Sequence, residues 1–263
     1  PLTGIPNRVL LNDRIEQGLA HSRRSQTLLA VCYLDLDGFK PINDQYGHES
    51  GDLLLINVTK RIKECLRAGD TLARIGGDEF VLLLLGLNEV LECKSVLERI
   101  LARVIQPCLI TGHNVSVSAS LGLTFYPDDP SDAETLIRHA DQAMYIAKQR
   151  GKNRYHIFDP QQDRIALARG ESLARIEAAF ANDEFVLYFQ PKVNMRQGTV
   201  LGAEALIRWV EPSKRLILPG EFLPQIEGTE LELAIGHWVL QTAIDQLEQW
   251  RCQGLNIQLS VNV

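Results

Sequence analysis

Two acidic stretches carry side chains suited to binding a divalent cation. In YLDLDGFKPINDQYGHESGD (33–52), Asp35 ends an apolar run, and in TLARIGGDEFVLLLL (71–85), Asp78 and Glu79 directly follow two glycines. If the two stretches are neighbours in a sheet, the carboxylates of Asp35 and Asp78 converge and repel one another unless a cation lies between them. Mg²⁺ binds one or two carboxylates and completes its shell with phosphate oxygens and water. The pattern favours phosphoryl or nucleotidyl transfer, and a glycine hairpin with solvated acids at its tip is the simpler alternative.

The elements that would position these carboxylates alternate between strands and helices. A leading helix with Asn7 as its cap is followed by the predicted order β-α-β-β-α-β-α-β. The predicted elements are a buried strand at 27–35, a helix at 50–67, strands at 71–75 and 79–85, a helix at 88–106, a half-buried strand at 115–125, a helix at 132–150 and a strand at 155–158. Directly consecutive strands pair antiparallel, so the sheet cannot be wholly parallel. The predicted fold class is therefore α/β (α+β) with a mixed central sheet.

Small residues in two of these strands bear on the site. Gly76 and Gly77 permit the positive φ of a two-residue hairpin turn, and without side chains they let a bulky ligand approach the backbone. Serines alternate with apolar residues along 115–125. We interpret the serine face of that strand as polar packing.

A second region begins near residue 160. Its predicted elements are a helix at 163–181, strands at 185–191 and 200–209, a helix at 231–251 and a strand at 256–263. This strand-strand-helix-strand order is new, so we expect two domains, 1–160 and 161–263.

Composition excludes several classes of protein. The net charge of -6 argues against a broad nucleic-acid-binding surface. The five cysteines are scattered, without a Cys-x-x-Cys pair, which predicts reduced thiols in a cytoplasmic protein and neither a disulfide framework nor a zinc site. No apolar run approaches the roughly 20 residues of a membrane span, and no signal peptide is visible. The opening residues PLTGIPNR are typical of the interior of a longer protein, whose upstream domains would decide any membrane association.

Four motifs in one order resemble the GGDEF family of diguanylate cyclases. They are LTGIPNR (2–8), DLDGFKPINDQYGHESGD (35–52), GGDEF (76–80) and AMYIAKQRGKN (143–153), and the similarity covers essentially all of 1–158. The resemblance implies a palm-like nucleotidyl cyclase domain that uses Mg²⁺ (or Mn²⁺) to condense two GTP molecules into cyclic di-GMP with release of two pyrophosphates. It also implies a homodimer, because each domain offers one GTP site and the product needs two reciprocal bonds.

The resemblance assigns roles to individual residues. Asp35, Asp78 and the Leu36 carbonyl would hold the metal, and Glu79 would help to deprotonate the attacking 3′-hydroxyl. The residues that would bind GTP are Phe39 and Lys40 through backbone at the phosphates, Asn43 and Asp52 at guanine, and Lys148 and Lys152 at the triphosphate. The family usually has Arg in place of Lys152, and lysine keeps the charge but loses the bidentate fork. Without the resemblance, both lysines would be interpreted as a solvated helix end.

The sequence RAGD (67–70) resembles the inhibitory site of the family, where cyclic di-GMP binds away from the active site. The resemblance places Arg67 and Asp70 in that site, and an arginine can contact guanine O6 and N7 together. A surface ion pair of little energetic value is the alternative.

FQPKV (189–193), EALIRW (204–209) and the terminal LSVNV resemble the start of the EAL family, a TIM-barrel phosphodiesterase that linearises cyclic di-GMP. The resemblance would make Glu204 and Asn262 metal ligands, and Gln190 and Arg208 substrate contacts. A barrel needs about eight strand-helix units, and this chain reaches about the third strand. We therefore expect an incomplete TIM-barrel segment without phosphodiesterase activity of its own, although the intact protein could hydrolyse cyclic di-GMP.

Functions of two classes stay open at this point. One is an enzyme, a Mg²⁺-dependent diguanylate cyclase, and the other is a GTP-binding module that regulates its EAL neighbour without making product. The presence of Asp35, Asp78 and Glu79 favours the enzyme, because degenerate metal ligands would favour the module. A third hypothesis is that the intact protein acts mainly as a phosphodiesterase.

Overall fold

The computed structural model describes residues 2–262, and the chain divides into two units, Pro1–Leu167 and Ala168–Val263. The division lies within a helix, Pro160–Ala181, and so falls beyond residue 160, where the sequence predicts a boundary. Across the described residues, none of the helices combines the length and the apolar character that a bilayer span requires.

The first unit is built on one mixed sheet. Its elements are α1 (Arg8–Ser25), β1 (Leu28–Asp37), α2 (Phe39–Tyr46), α3 (His48–Lys63), β2 (Thr71–Gly76), β3 (Glu79–Leu87), α4 (Val90–Val104), β4 (Cys108–Ile110), β5 (His113–Val115), β6 (Ser118–Tyr126), α5 (Ala133–Gln149), β7 (Tyr155–Ile157) and the beginning of α6 (Pro160–Ala181). The strand order is β2-β3-β1-β6-β7, with β7 parallel to β6 and all other neighbours antiparallel. The predicted mixed sheet is confirmed, and Asn7 caps α1 as predicted by accepting from the Leu10 amide at 3.1 Å.

Strand β1 lies at the centre of this sheet and is buried on both faces. Cys32 and Leu34 pack into one apolar cluster with α3 and α4, whereas Val31 and Tyr33 pack into a second cluster with α1 and α5. Helices on both faces explain why the sequence of β1 is a continuous apolar run rather than an alternating one. Because β1 is the central strand, its last residues, including Asp35, lie in the middle of the row of strand ends.

Strand β6 differs from the sequence prediction in two respects. The predicted strand 115–125 is interrupted, because Val115 belongs to β5 in a separate hairpin with β4, and β6 begins at Ser118. The prediction of a half-buried strand was also wrong, because α5 covers the small-residue face. A Cβ on Gly122 would lie 1.9 Å from the Met144 backbone nitrogen, so at this position the backbone of α5 leaves no room for a side chain.

Residues 39–46, for which the sequence predicts no element, form helix α2. Its N-cap is Gly38, whose φ of 77° is in the left-handed region that glycine adopts without strain. Pro41 lies in the first turn, where its missing N–H costs no helical hydrogen bond. Phe39 is buried in the core and fixes the beginning of this short helix to the sheet.

The second unit contains the rest of α6 and a four-stranded sheet. Its elements are β8 (Phe185–Asn194), β9 (Thr199–Val210), β10 (Leu216–Ile217), α7 (Pro219–Ile226), α8 (Glu230–Cys252) and β11 (Gln258–Val261), of which β10 and α7 are not predicted from the sequence. Strand β9 is central, antiparallel to β8 and β10 and parallel to β11. Phe185, Trp209 and Phe222 pack together in its core. Within the described residues the sheet is open and does not close into a barrel.

Candidate active site

The pairing of β1 with β3 brings the two acidic stretches together. Asp35 on β1 is the register partner of Glu79, the first residue of β3. Asp78 precedes Glu79 in the loop between β2 and β3, and both acids act electrostatically on the Asp35 carboxyl group. The three carboxylates therefore lie together at one end of the strands, where β1 ends and β3 begins; this end is called the acidic sheet edge.

The hairpin that carries Asp78 turns through Gly77 and Asp78. Gly76 is still part of β2 and pairs with Glu79, so the prediction that both glycines supply positive φ was wrong; of the two, only Gly77 has a positive φ, 43°. The Arg74 side chain holds the loop by donating from Nε to the Gly77 carbonyl at 2.8 Å. A Cβ at either glycine would meet no other atom within 4 Å, so the backbone beside Asp78 is open to a ligand.

Lys148 compensates part of the negative charge at this edge. Its Nζ lies 2.7 Å from Asp35 Oδ1, and both side chains are at least half-buried. Burial raises the pKa of the Asp35 carboxyl, the hydrogen bond and charge of Lys148 act in the opposite direction, and Asp78 and Glu79 raise the pKa further. One lysine does not offset the whole group, so the site retains a net attraction for a cation.

Two further residues belong to this group and were not singled out from the sequence. Burial and then the charge of Glu79 raise the pKa of the Tyr33 hydroxyl and also that of the Asp141 carboxyl. Tyr33 precedes Asp35 by two residues, so it is on the same face of β1, and Asp141 precedes Lys148 by two helical turns on α5. The two-residue period of strands and the 3.6-residue period of helices could have identified Tyr33 and Asp141 from the sequence.

The donor set at the sheet edge fits a hard cation. The side chains of Asp35 and Asp78 are carboxylates, and the predicted third donor would be the main-chain carbonyl of Leu36, next to Asp35 on β1. Oxygen donors of this kind are those that Mg²⁺ and Mn²⁺ accept. Among residues 2–262 no group of three or more His, Cys, Asp or Glu side chains is already arranged as a metal centre.

The predicted guanine contacts lie on α2 and α3. Asn43 Oδ1 is buried and has no hydrogen-bond partner among the described residues, whereas Asp52 is exposed. Asn43 occupies the space beside Gly51, where a Cβ would lie only 1.8 Å from its Oδ1. An unpaired buried acceptor costs about 1–3 kcal/mol, so a rotation of the Asn43 side chain that brings this atom to a ligand donor would recover part of that cost.

The phosphate-binding backbone predicted at Phe39 and Lys40 is the first turn of α2. The N-cap Gly38 provides no side-chain hydrogen bond to these amides. Lys40 is exposed and Phe39 is buried. A helix N-terminus without a side-chain cap presents N–H donors and the positive end of the helix dipole, which suits an anion.

The β4–β5 hairpin supports the two helices that carry Asn43 and Asp52, and the sequence did not reveal this contact. The rings of Tyr46 and His113 lie 5.1 Å apart between centroids, and Ser50 Oγ is 3.3 Å from Thr111 Oγ1. The residues in contact are far apart in the sequence: Ser50 and Thr111, for example, are separated by 61 residues. No local spacing could have indicated them.

The RAGD stretch forms a compact turn beside a cavity of about 440 Å³. The Asp70 carboxylate accepts from the Arg67 amide at 2.9 Å and from the Leu85 amide at 3.3 Å, so it stabilises the turn. The Arg67 guanidinium is 3.8 Å from a Glu92 carboxylate oxygen and is 68% exposed. The cavity is also lined by Arg14 and Lys63, so its charged lining consists of three cations and one anion, Asp70.

In the second unit, the structure brings three of the four predicted residues to neighbouring strand positions. Glu204 on β9 accepts from Asn262 Nδ2 at 2.8 Å and is the register partner of Gln190 on β8. Lys192, which the sequence analysis did not single out, lies 4.0 Å from Glu204. The Arg208 guanidinium lies over the Tyr188 ring, 5.7 Å from the ring centroid.

The first unit is a mixed five-stranded α/β domain with acids at the end of its central strand, and comparison with known families identifies this domain. The chain belongs to the GGDEF family: residues 1–154 match the family described as diguanylate cyclase, GGDEF domain, and residues 173–263 match the EAL domain. The GGDEF domain of TpbB (YfiN) from Pseudomonas aeruginosa superposes with a TM-score of 0.61 at 36% identity, covering 62% of this chain and 96% of that one.

Two relatives align with almost the whole chain, so the similarity extends across both of its parts. The bifunctional diguanylate cyclase/cyclic di-GMP phosphodiesterase MucR of Pseudomonas aeruginosa is 44% identical over 249 residues, which is 95% of this chain and 36% of MucR. The cyclic di-GMP phosphodiesterase PdeR of Escherichia coli is 37% identical over 262 residues, 100% of this chain and 39% of PdeR. The chain thus spans well under half the length of these relatives. Its two parts belong to domain families of cyclic di-GMP signalling.

Proposed function

We propose that the first domain, residues 1–160, is a diguanylate cyclase that condenses two GTP molecules into cyclic di-GMP and two pyrophosphates. The observation that carries the proposal is the convergence of Asp35, Asp78 and Glu79 at paired strand ends, beside the Lys148 cation. This arrangement concentrates negative charge where a metal-bound triphosphate would enter, and the open backbone at Gly77 leaves space for it.

Each acidic residue has a distinct part in this proposal. Asp35, Asp78 and the Leu36 carbonyl would hold Mg²⁺ or Mn²⁺, which when bound supplies charge neutralisation at the phosphates. Glu79 faces Asp35 across the strand pair and would accept the proton of the attacking 3′-hydroxyl. The Lys148 ammonium group, now paired with Asp35, would also contact the triphosphate. Lys152 would contact the phosphates from the turn after α5.

Guanine selection would come from Asn43 and Asp52. The guanine Watson–Crick edge presents N1–H and N2–H₂ donors together with the O6 acceptor. The unpaired Oδ1 of Asn43 and the exposed carboxylate of Asp52 are acceptors without protein donors, which matches the two guanine donors. Backbone N–H groups of Phe39 and Lys40 would receive the phosphates at the beginning of α2.

The active species would be a dimer with product feedback. One domain offers one set of metal-binding carboxylates, so two copies related by a two-fold axis are needed to form both phosphodiester bonds. Cyclic di-GMP would bind at Arg67 and Asp70, where the cationic cavity attracts its phosphates.

The four buried cysteines are free thiols, which supports a reducing, cytoplasmic location.

A GTP-binding regulatory module is the second candidate, and one observation favours it. Lys148 already pairs with Asp35, so the protein can neutralise this carboxylate without a metal ion. In such a module GTP would bind to the first domain and alter the EAL domain of the intact protein, where Glu204, Asn262, Gln190 and Arg208 would contribute to metal and substrate binding. Because the EAL sheet of residues 168–262 is open, we expect no phosphodiesterase activity from these residues alone.

One experiment distinguishes the two candidates. The protein is incubated with GTP and Mg²⁺, cyclic di-GMP and pyrophosphate are separated by chromatography, and GTP binding is measured in parallel by calorimetry. The cyclase predicts product from the wild type, none from Asp78→Ala, and unchanged product from Asp13→Ala, whose carboxylate is exposed on α1. GTP binding without product would overturn the cyclase and support the module.

A further inference from the structure

Asp37 is the second acid of the DLD motif, and both oxygens of its carboxylate accept hydrogen bonds from the protein. Oδ2 accepts from Ser118 Oγ at 2.7 Å and from the backbone N–H of Asn153 at 3.3 Å, and Oδ1 accepts from Ser120 Oγ at 2.8 Å. Both serines are on β6, where Ser118 is the register partner of Asp37 and Ser120 that of Asp35. The serine face of this strand, interpreted from the sequence as polar packing, is therefore the support of one particular carboxylate.

The turn that Asp37 holds has an unfavourable backbone. Lys152 and Asn153 have φ values of 58° and 47°, and Gly151 before them has a φ of 109°. Residues other than glycine in the left-handed region cost roughly 1 kcal/mol or more each, so a sequence of two persists only where other contacts stabilise it. The turn receives such contacts from the Asn153 N–H bond to Asp37 and from the Lys152 N–H bond to the Ala147 carbonyl at 3.2 Å.

Lys152 thereby lies between two connections to the end of β1. On one side Lys148 contacts Asp35, and on the other side Asn153 contacts Asp37. Asp35 and Asp37 are two residues apart and so are on the same face of β1. The position of the Lys152 backbone relative to the acidic sheet edge is thus determined by residues on both sides of it, although its own side chain is exposed.

We propose that Asp37 is a positioning residue for nucleotide binding, which acts by holding the 151–153 turn so that Lys152 is presented to the triphosphate beside Asp35. Each of its carboxylate oxygens already accepts a hydrogen bond from β6 or from the turn, so we assign Asp37 to the support of the turn and not to the metal. This inference rests on the proposed GTP site and names the residue that places its second lysine.

The test is a double-mutant cycle in the intact chain. Asp37→Ala removes both acceptor oxygens, whereas Asp37→Asn can still accept from Asn153 through its amide oxygen and is the conservative comparison. We expect the KM for GTP to rise about tenfold in Asp37→Ala and in Lys152→Ala, with kcat changed much less, because ground-state and transition-state binding are lost together. In the Lys152→Ala background, Asp37→Ala should add little further loss. Ser118→Ala, which leaves the Asn153 bond in place, should change KM less than twofold.

Amide hydrogen exchange provides a readout that does not depend on turnover. The Asn153 amide should exchange faster in Asp37→Ala than in the wild type, while amides of α1 keep their rates. Additive losses of Asp37→Ala and Lys152→Ala, an unchanged KM in Asp37→Ala, or an unchanged exchange rate at Asn153 in that variant would each overturn the positioning role.

Failure of the cyclase proposal has a different signature. If the wild type forms no cyclic di-GMP, the same cycle is measured as the binding of a GTP analogue that cannot transfer its α-phosphorus, in the presence of Mg²⁺. Coupling between Asp37 and Lys152 in that binding supports the positioning role and rejects only the cyclase. Absence of analogue binding, or binding without coupling, rejects the positioning role.

Discussion

Lys148 Nζ lies 2.7 Å from Asp35 Oδ1, so a cation of the protein occupies one side of the carboxylate to which we assign the metal. Burial raises the pKa of Asp35, and the neighbouring Asp78 and Glu79 act in the same direction, whereas Lys148 opposes them. The lysine and a bound metal ion therefore have overlapping electrostatic effects on Asp35. Removing one should make the protein more dependent on the other.

Substitution of Lys148 by Met keeps the apolar part of the side chain and removes the charge. We expect the free energy of unfolding to fall by about 1–3 kcal/mol without Mg²⁺, because a partly buried carboxylate loses its partner. Saturating Mg²⁺ should restore more stability to this variant than to the wild type. Urea unfolding with and without Mg²⁺ measures both quantities. Lys60→Met, on the exposed surface of α3, is the control, and an equal effect of Mg²⁺ on all three proteins would contradict the prediction.

The contact between Gly51 and Asn43 predicts the effect of adding one methyl group. In Gly51→Ala the new Cβ would lie 1.8 Å from Asn43 Oδ1, so the Asn43 side chain must move away from its position. If Asn43 accepts from guanine, the affinity for GTP should fall about tenfold or more, corresponding to the loss of one hydrogen bond of about 1.4 kcal/mol. Calorimetric titration with GTP measures the loss.

Gly236→Ala is the matched control for this substitution. Gly236 is also within a helix, and a Cβ there would meet nothing within 4 Å. Alanine favours both helices by about 0.5–1 kcal/mol, so a general effect of the residue type would appear in both variants. Unchanged GTP affinity in Gly51→Ala would show that Asn43 does not contact the base.

The ion pair between Arg67 and Glu92 predicts competition with the product. Glu92→Gln removes the charge that holds Arg67, while an amide oxygen can still accept from Asn88, as Glu92 does now. If cyclic di-GMP binds at Arg67, inhibition in Glu92→Gln should require several-fold less product, and Arg67→Ala should be resistant. Initial rates over a series of cyclic di-GMP concentrations measure both. Equal inhibition of wild type and Arg67→Ala would remove Arg67 from the inhibitory site.

The core of the candidate site could be predicted because its signals are local. An apolar run that ends in Asp35, and two glycines followed by Asp78, are sufficient to place two carboxylates at strand ends and to suggest that these ends pair. The same kind of signal failed for α2, because residues 39–46 are mostly polar and contain Pro41, and the helix depends on the packing of Phe39. Local propensity is a weak guide where a tertiary contact decides the conformation.

The remaining parts of the site depend on contacts between distant residues. Asp37 and Asn153 are 116 residues apart in the sequence, and Ser120, which faces α5, has the polar character of a solvent-facing residue although it is fully buried. Alternation predicts which residues share a face, but it does not show that a second helix covers the polar face. The hydrogen bond from Asn153 to Asp37 can therefore be identified only from the tertiary structure, in which β6 lies beside β1.

Asp129, in the loop between β6 and α5, predicts a pH-dependent contribution to stability. Burial alone would raise the pKa of its carboxyl, but hydrogen bonds from Ser131, His139 and Thr124 outweigh burial and lower the pKa below the ordinary value of 3.8. A carboxyl whose pKa is lower in the folded state binds protons more tightly in the unfolded state. Its stabilising contribution is therefore complete above the unfolded pKa and is lost as the pH falls through the folded pKa.

Asp129→Asn should accordingly be less stable than the wild type near neutral pH, by about 1–3 kcal/mol, because a buried charge-assisted network is broken. The difference between the two proteins should shrink as the pH falls below about 4, where Asp129 of the unfolded wild type takes up a proton, and it should be lost below the lowered pKa of the folded protein. Urea unfolding across this pH range measures the difference. Asp128→Asn, the exposed neighbouring residue, should differ from the wild type little at any pH. If the deficit of Asp129→Asn stayed constant on acidification, hydrogen bonding to the ionised carboxylate would not be its cause, and the geometry of the loop would have to account for it instead.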